Sequence, residues 1–208
     1  KKLRHSLFAR MGKIMLFYQI FQLLIILLFA FFVSDLRRKK LTKELLNGKL
    51  ILLMKIIYII PILIFLISVI NSDTLLLTDI VGISLPVVGL VVVILAKTTL
   101  GANHSWTGYG TFPKEFLRQG IFSLIRHPMY TGIFICIFGM WFHVFWHTTL
   151  ILAILNFACS LFIFYVLISS ARKETEHLIN LFGNDYEHYS KTVHPFFSNI
   201  SDTILTPI

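Results

Sequence analysis

Gly120-Ile121-Phe122-Ser123-Leu124-Ile125-Arg126-His127-Pro128-Met129-Tyr130-Thr131-Gly132 is where a polar segment enters a long apolar run. Arg126 supplies a fixed positive fork, His127 a donor and acceptor able to change protonation, and Tyr130 a ring with a hydroxyl tip. Pro128 at the first helical position loses no needed N–H, and it pushes His127 out of the helical region, which sets the direction of entry. Arg126 and His127 are therefore predicted on a fixed corner at a membrane surface. By residue type alone, they are also ordinary interfacial residues flanking a membrane helix.

The composition around this corner sets the class. Of the 208 residues 56% are hydrophobic, 20 of them Phe, and only 14% are charged; with a mean hydropathy of +0.79 this is not a soluble domain. The net charge of +9 is concentrated between the apolar runs. It reads as membrane topology and contact with anionic lipid rather than nucleic-acid binding, because no basic stripe with interleaved aromatics lies outside those runs. Cys136 and Cys159 fall inside apolar helices, with neither a metal spacing nor a disulfide framework, and are expected as small packing residues.

Five runs are long enough to cross a hydrocarbon core of ~30 Å. They are Ile14 to Val33, broken only by Gln19 and Gln22, then Leu50 to Ile70, Ile80 to Ala96, Tyr130 to Trp146, and Thr148 to Ser169. Pro61 is expected to kink the second, and Lys55 to snorkel. Gly82, Pro86 and Gly89 in the third allow bending or close helix approach. A tight turn at His147 predicts a helical hairpin of the last two spans. Residues 1–13 read as a basic amphipathic helix, with Leu3, Leu7, Phe8 and Met11 at helical spacing, or as an extension of the first span.

The expected fold is all-α, a polytopic membrane helix bundle of about five spans with a short helical cytoplasmic C-terminal tail. Two parts are expected, residues 1–96 with the first three spans and 97–208 with the polar segment, hairpin and tail. The first connection (Arg37, Arg38, Lys39, Lys40), the 97–129 segment and the tail share one side and hold most of the Lys and Arg. The positive-inside rule assigns that side to the cytoplasm, against the basic N-terminus.

In the tail, Leu178, Leu181 and Phe182 repeat at helical spacing and Gly183 fits a helix stop. Asp185 is expected to cap a second helix that places Tyr186, Tyr189 and Val193 on one face and ends before Pro195. A docked helix pair accounts for these positions without any function.

Arg126-His127-Pro128-x-Tyr130-x-Gly132 resembles the signature of the integral-membrane methyltransferases that include isoprenylcysteine carboxyl methyltransferase and the phospholipid N-methyltransferases. Glu174-x-x-x-Leu178-x-x-x-Phe182-Gly183-x-x-Tyr186-x-x-Tyr189-x-x-x-Val193 resembles their C-terminal signature, and Leu100-Gly101 with Asn103-His104-Ser105-Trp106 a less specific upstream element. Two departures stand out. Thr175 replaces the second of the family's paired acids, with Glu176 one place further on, and His194-Pro195 stand where the family carries a basic residue.

The resemblance implies an S-adenosylmethionine-dependent methyltransferase embedded in the membrane, with Leu124, Arg126, His127, Tyr130 and Glu174 as cofactor-binding residues and His127 and Glu174 as catalytic ones. Arg126 suits the cofactor's carboxylate, Glu174 its ammonium group, and Tyr130 its adenine or sulfonium. With no soluble Gly-rich turn, the acceptor would enter from the bilayer, which favours a lipid-like or hydrophobic molecule of isoprenylcysteine-carboxylate or phospholipid-amine type. Alternatives are a small thiol acceptor, or a non-catalytic membrane scaffold. His143 and His147, four apart on a helix, lack an evident third ligand, so no metal is assigned.

Overall fold

The computed structural model describes residues 2–34, 42–101 and 105–197. Arg37 to Lys40, Asn103-His104 and residues 198–208 lie outside the described residues, as do the side chains of Leu3, Leu7, Phe8 and Met11. Helix α1 (Lys2–Val33) runs unbroken, so the N-terminal segment extends the first span. Helices α2 (Gly48–Ile57) and α3 (Ile59–Ile70) together make the second span, α4 (Thr78–Leu100) the third, α5 (Pro128–His147) the fourth and α6 (Leu150–Phe182) the fifth. Helix α7 (Asn184–Thr192) completes the order.

The architecture is the expected five-span helical bundle. Phe17 is 71% exposed, Leu77 83% and Ile151 79%, surface that only a lipid environment satisfies. Phe29, Phe65, Val93, Cys136, Val144, Val166 and Leu167 form the dry interior. The central element is α5, with 61% of its apolar stretch buried against 28–39% for the other four spans.

Its closest partner is α4, not the neighbouring α6 to which Thr148 and Thr149 join it. Small residues explain why. A Cβ on Gly89 would stand 2.6 Å from the Gly132 carbonyl, and one on Gly139 would stand 2.3 Å from the Pro86 ring. Gly82 and Gly89 on α4, and Gly132 and Gly139 on α5, are each seven apart and therefore share a helix face, so the two backbones meet directly.

Other expectations shift in detail. The second span breaks at Tyr58, three residues before Pro61. Pro61 has no N–H for the carbonyl of Ile57, and its ring crowds that turn, so the fault falls upstream of the proline itself. Asp185 lies within the first turn of α7 while Gly183, at φ +60°, takes the corner. The fifth span and the first tail helix are one continuous α6.

An element not anticipated is a two-stranded antiparallel ribbon, β1 (Thr42–Glu44) with β2 (Tyr109–Thr111), in the register Thr42 to Thr111. Three-residue strands carry too little alternation to be read from sequence. The amide nitrogens of the two glutamines inside the first span find acceptors: Gln19 donates to the Val69 carbonyl at 3.1 Å and Gln22 to the Tyr18 hydroxyl at 3.1 Å.

Candidate active site

The corner at Arg126-His127-Pro128 is held by the chain that follows α7. The backbone N–H groups of Arg126 and His127 donate to the carbonyls of His194 and Pro195, each at 2.9 Å, and the Thr131 hydroxyl to that of Phe196 at 2.6 Å. Arg126 Nε adds a bond to the Val193 carbonyl at 2.8 Å. These groups sit at the N-terminus of α5, where helical donors have no acceptor of their own. His194-Pro195 thus contributes through main-chain oxygens, which explains how a site without the family's basic side chain there is still built.

Behind the corner lies a cavity of about 150 Å³, room for a small molecule rather than a single water. Arg126, His127, Tyr130, Glu174, Tyr186 and Tyr189 form its polar wall; Val33, Met54, Leu100 and Ile133 line it from the membrane spans. The Tyr130 hydroxyl donates to Glu174 Oε1 and stands 3.3 Å from Ser170 Oγ, which itself accepts the Gly108 N–H at 2.8 Å. His127 Nδ1 is 3.5 Å from Glu174 Oε2, and its ring stacks on Tyr130 with centroids 5.8 Å apart. Four of the five residues expected from sequence therefore meet; Leu124, 46% exposed, does not line the cavity.

Thr175, the departure from the paired acids, lies between the two basic groups. Its hydroxyl is 3.3 Å from Arg126 Nη1 and 3.2 Å from His127 Nε2. Burial pushes the Tyr186 phenol up to about 12, with the nearby Arg126 guanidinium pulling the other way, so this group stays a neutral donor at ordinary pH. The Tyr189 hydroxyl donates to the Phe122 carbonyl at 2.6 Å and fastens α7 across the mouth.

Tyr58 and Trp106 are among the lining residues, and two of their polar atoms, Tyr58 Oη and Trp106 Nε1, are shielded from solvent and have no hydrogen-bond partner among the described residues. Buried polar atoms left unmet are uncommon in folded chains.

Sequence reading missed Ser170 and His177, the latter bonded to the Thr111 carbonyl at 2.9 Å. The signal was present: Ser170, Glu174, His177 and Leu178 follow the i, i+4, i+7, i+8 spacing of one helix face. Placing the end of the fifth span at Ser169 split that face between two elements.

The expectation that His143 and His147 lack a third ligand is overturned. Asp79, in the first turn of α4, lies 3.0 Å from His143 Nδ1 and 2.9 Å from His147 Nε2. Sequence could not pair residues more than sixty positions apart; the antiparallel packing of α4 on α5 does.

A family model described as phospholipid methyltransferase matches residues 77–185, from the foot of α4 into the first turn of α7. No curated protein matches the chain. The match takes in more than half of the sequence, including the α4–α5 pair, Arg126, His127, Tyr130 and Glu174, and five apolar helices carry it. The chain belongs to the phospholipid methyltransferase family and is a membrane-embedded methyltransferase.

Proposed function

We propose that the cavity at the α5 N-terminus binds S-adenosylmethionine and receives a lipid-like methyl acceptor, of phospholipid-amine or isoprenylcysteine-carboxylate type, from the bilayer. The supporting observation is the two-faced cavity: charged and hydroxyl groups on one wall, side chains of membrane spans on the other. The donor set fits an amino-acid zwitterion: Arg126 would take its carboxylate and Glu174 its ammonium group.

When bound, the sulfonium supplies an electrophilic methyl group for in-line displacement by an acceptor lone pair. The chain's own contribution is chiefly positioning. Thr175 contacts both Arg126 and His127, and Ser170 with Tyr130 contacts Glu174, so groups of opposite charge are braced on the cavity wall. His127, between Glu174 and Thr175, would position the cofactor or take a proton from an amine acceptor; a carboxylate acceptor needs no base. The Val33, Met54, Leu100 and Ile133 wall excludes water and admits an acyl or prenyl chain. The basic residues on this side orient the cavity toward the cytoplasm under the positive-inside rule.

Calorimetry of S-adenosylmethionine and S-adenosylhomocysteine against the detergent-purified protein tests the reading. Binding is expected for the unaltered chain, and a loss of at least tenfold in affinity for Arg126→Ala and for Glu174→Ala, each losing a charge-assisted contact. Folded variants that bind as tightly as the original would remove both residues from the pocket.

A further inference from the structure

The far end of the α4–α5 pair carries a second polar cluster, about 24 Å along α5 from His127 at 1.5 Å per residue. Asp79, His143 and His147 present ligand atoms that all lie within 4.8 Å of one another. His143 is fully buried, and the side chains of Asp79 and His147 are 4% and 6% exposed. Tyr18 of α1 completes the group, its hydroxyl 2.8 Å from His143 Nδ1 and 3.2 Å from Asp79 Oδ1.

We propose that Asp79, His143, His147 and Tyr18 form a structural site for a divalent transition-metal ion, with zinc the best match, that fastens α1 to the α4–α5 pair at the membrane face opposite the cavity. Four observations carry this assignment. The ligand set, two imidazoles with a carboxylate and a phenol oxygen, is of the borderline N and O type that zinc accepts, and the histidines stand four apart on one helical face. A tetrahedral ion with bonds of 2.0–2.1 Å keeps its ligand atoms about 3.3 Å apart. The pairs observed at 2.8, 2.9, 3.0 and 3.2 Å need to open by only a few tenths of an ångström.

The third observation is a shortage of protons. Tyr18 Oη, His143 Nδ1 and Asp79 Oδ1 form a triangle with three close edges, and with neutral His143 the Tyr18 and His143 groups bring at most two protons to it. Hydrogen bonding alone therefore makes one proton serve two edges, whereas a cation takes a lone pair from every corner. Gln22 Nε2 donates to the phenol oxygen at 3.1 Å, supporting its role as an electron-pair donor. His143 Nε2 has no partner among the described residues in either state, so it does not discriminate between them.

Fourth, the His143 and His147 rings stack with centroids 4.4 Å apart. Both rings thereby present a nitrogen to the same carboxylate oxygen, Asp79 Oδ1, at 3.0 and 2.9 Å, a convergence that one ion can hold. Four protein ligands leave no position for substrate, which is the pattern of a structural rather than a catalytic ion.

The test uses the full chain in detergent, purified with a tag that contains no histidine, and needs no activity. Zinc is titrated against a chromophoric chelator, and cobalt(II) is substituted to read the visible ligand-field bands of a four-coordinate ion. One equivalent of metal per chain is expected for the unaltered protein and for His127→Ala, with a thermal midpoint that rises on addition of metal. His147→Ala should bind at least tenfold more weakly, and Tyr18→Phe, which keeps the ring and the packing, should bind the metal more weakly and shift the cobalt bands while remaining folded. A folded, unaltered chain that takes up no stoichiometric zinc or cobalt overturns the proposal, even if His147→Ala is less stable, because the cluster is then a hydrogen-bonded clasp only. Uptake by His147→Ala and Tyr18→Phe equal to that of the original chain overturns it equally.

Discussion

The two ends of the α4–α5 pair are built from the same residue types and differ in closure. At one end His127, Glu174 and Tyr130 line a cavity, with His127 and Glu174 3.5 Å apart. At the other end Asp79 lies 2.9–3.2 Å from Tyr18, His143 and His147, and the Tyr18 hydroxyl 2.8 Å from His143. Residue type alone therefore does not separate a binding site from a fastening. What separates them is the neighbouring chain: turns, a ribbon and a carbonyl strap hold the first set apart, whereas two helices in backbone contact press the second together.

The largest effect is expected where the two ends share their support. Gly89→Leu sets a side chain against the backbone of α5, which cannot move aside as a flexible side chain would, since even a Cβ would lie 2.6 Å from the Gly132 carbonyl and 2.8 Å from the Cys136 nitrogen. Overpacking of this kind costs about 1–3 kcal/mol or more. Thermal unfolding in detergent should show a large loss of stability, with the cavity and the far cluster affected together. A variant of unchanged stability would mean that the helices are not in close contact, and the shared origin of the two ends would fail.

A smaller, one-ended effect is expected at Thr175. Thr175→Val keeps the shape but removes the hydroxyl that contacts Arg126 and His127, at about 1 kcal/mol for a typical hydrogen bond. Affinity for S-adenosylmethionine should fall roughly fivefold at that value, with metal uptake unchanged. Equal loss at both ends would show that the ends communicate rather than stand apart. The mildest effect is expected from Tyr189→Phe, which deletes the bond to the Phe122 carbonyl. About 0.5–1.5 kcal/mol of stability should go, together with faster ligand release at the cavity as α7 loosens. Unaltered release rates would exclude α7 as part of the cavity's closure.

Much of the candidate site was legible because its residues are close in sequence. Arg126, His127 and Tyr130 lie within one turn of a proline-started helix, whereas Glu174, distant in sequence, was found through the stretch that resembles the family's C-terminal signature. Ser170 and His177 were obscured when a continuous 33-residue α6 was divided at its change of polarity. Polarity changes where a helix leaves the hydrocarbon, but hydrogen bonding does not, so helix ends and membrane boundaries need not coincide. Tyr58 was missed for a related reason: the effect of Pro61 falls on the preceding turn, so the lining residue at the break is not the one that marks the kink.

Sequence by itself determined that five apolar helices cross a membrane, that one of them begins at a fixed Arg-His-Pro corner, and that small residues permit a close approach by α4. These follow from local chemistry: length against hydrocarbon thickness, proline at a helix start, and glycine without a side chain. Only the tertiary structure decided which helix accepts that approach, that Thr175 bridges Arg126 and His127, and that Asp79 stands between His143 and His147. Those pairings depend on the rotation and depth of each helix in the bundle. Nearly uniform apolar faces leave both unspecified in the sequence, and the packing of backbone against backbone fixes them.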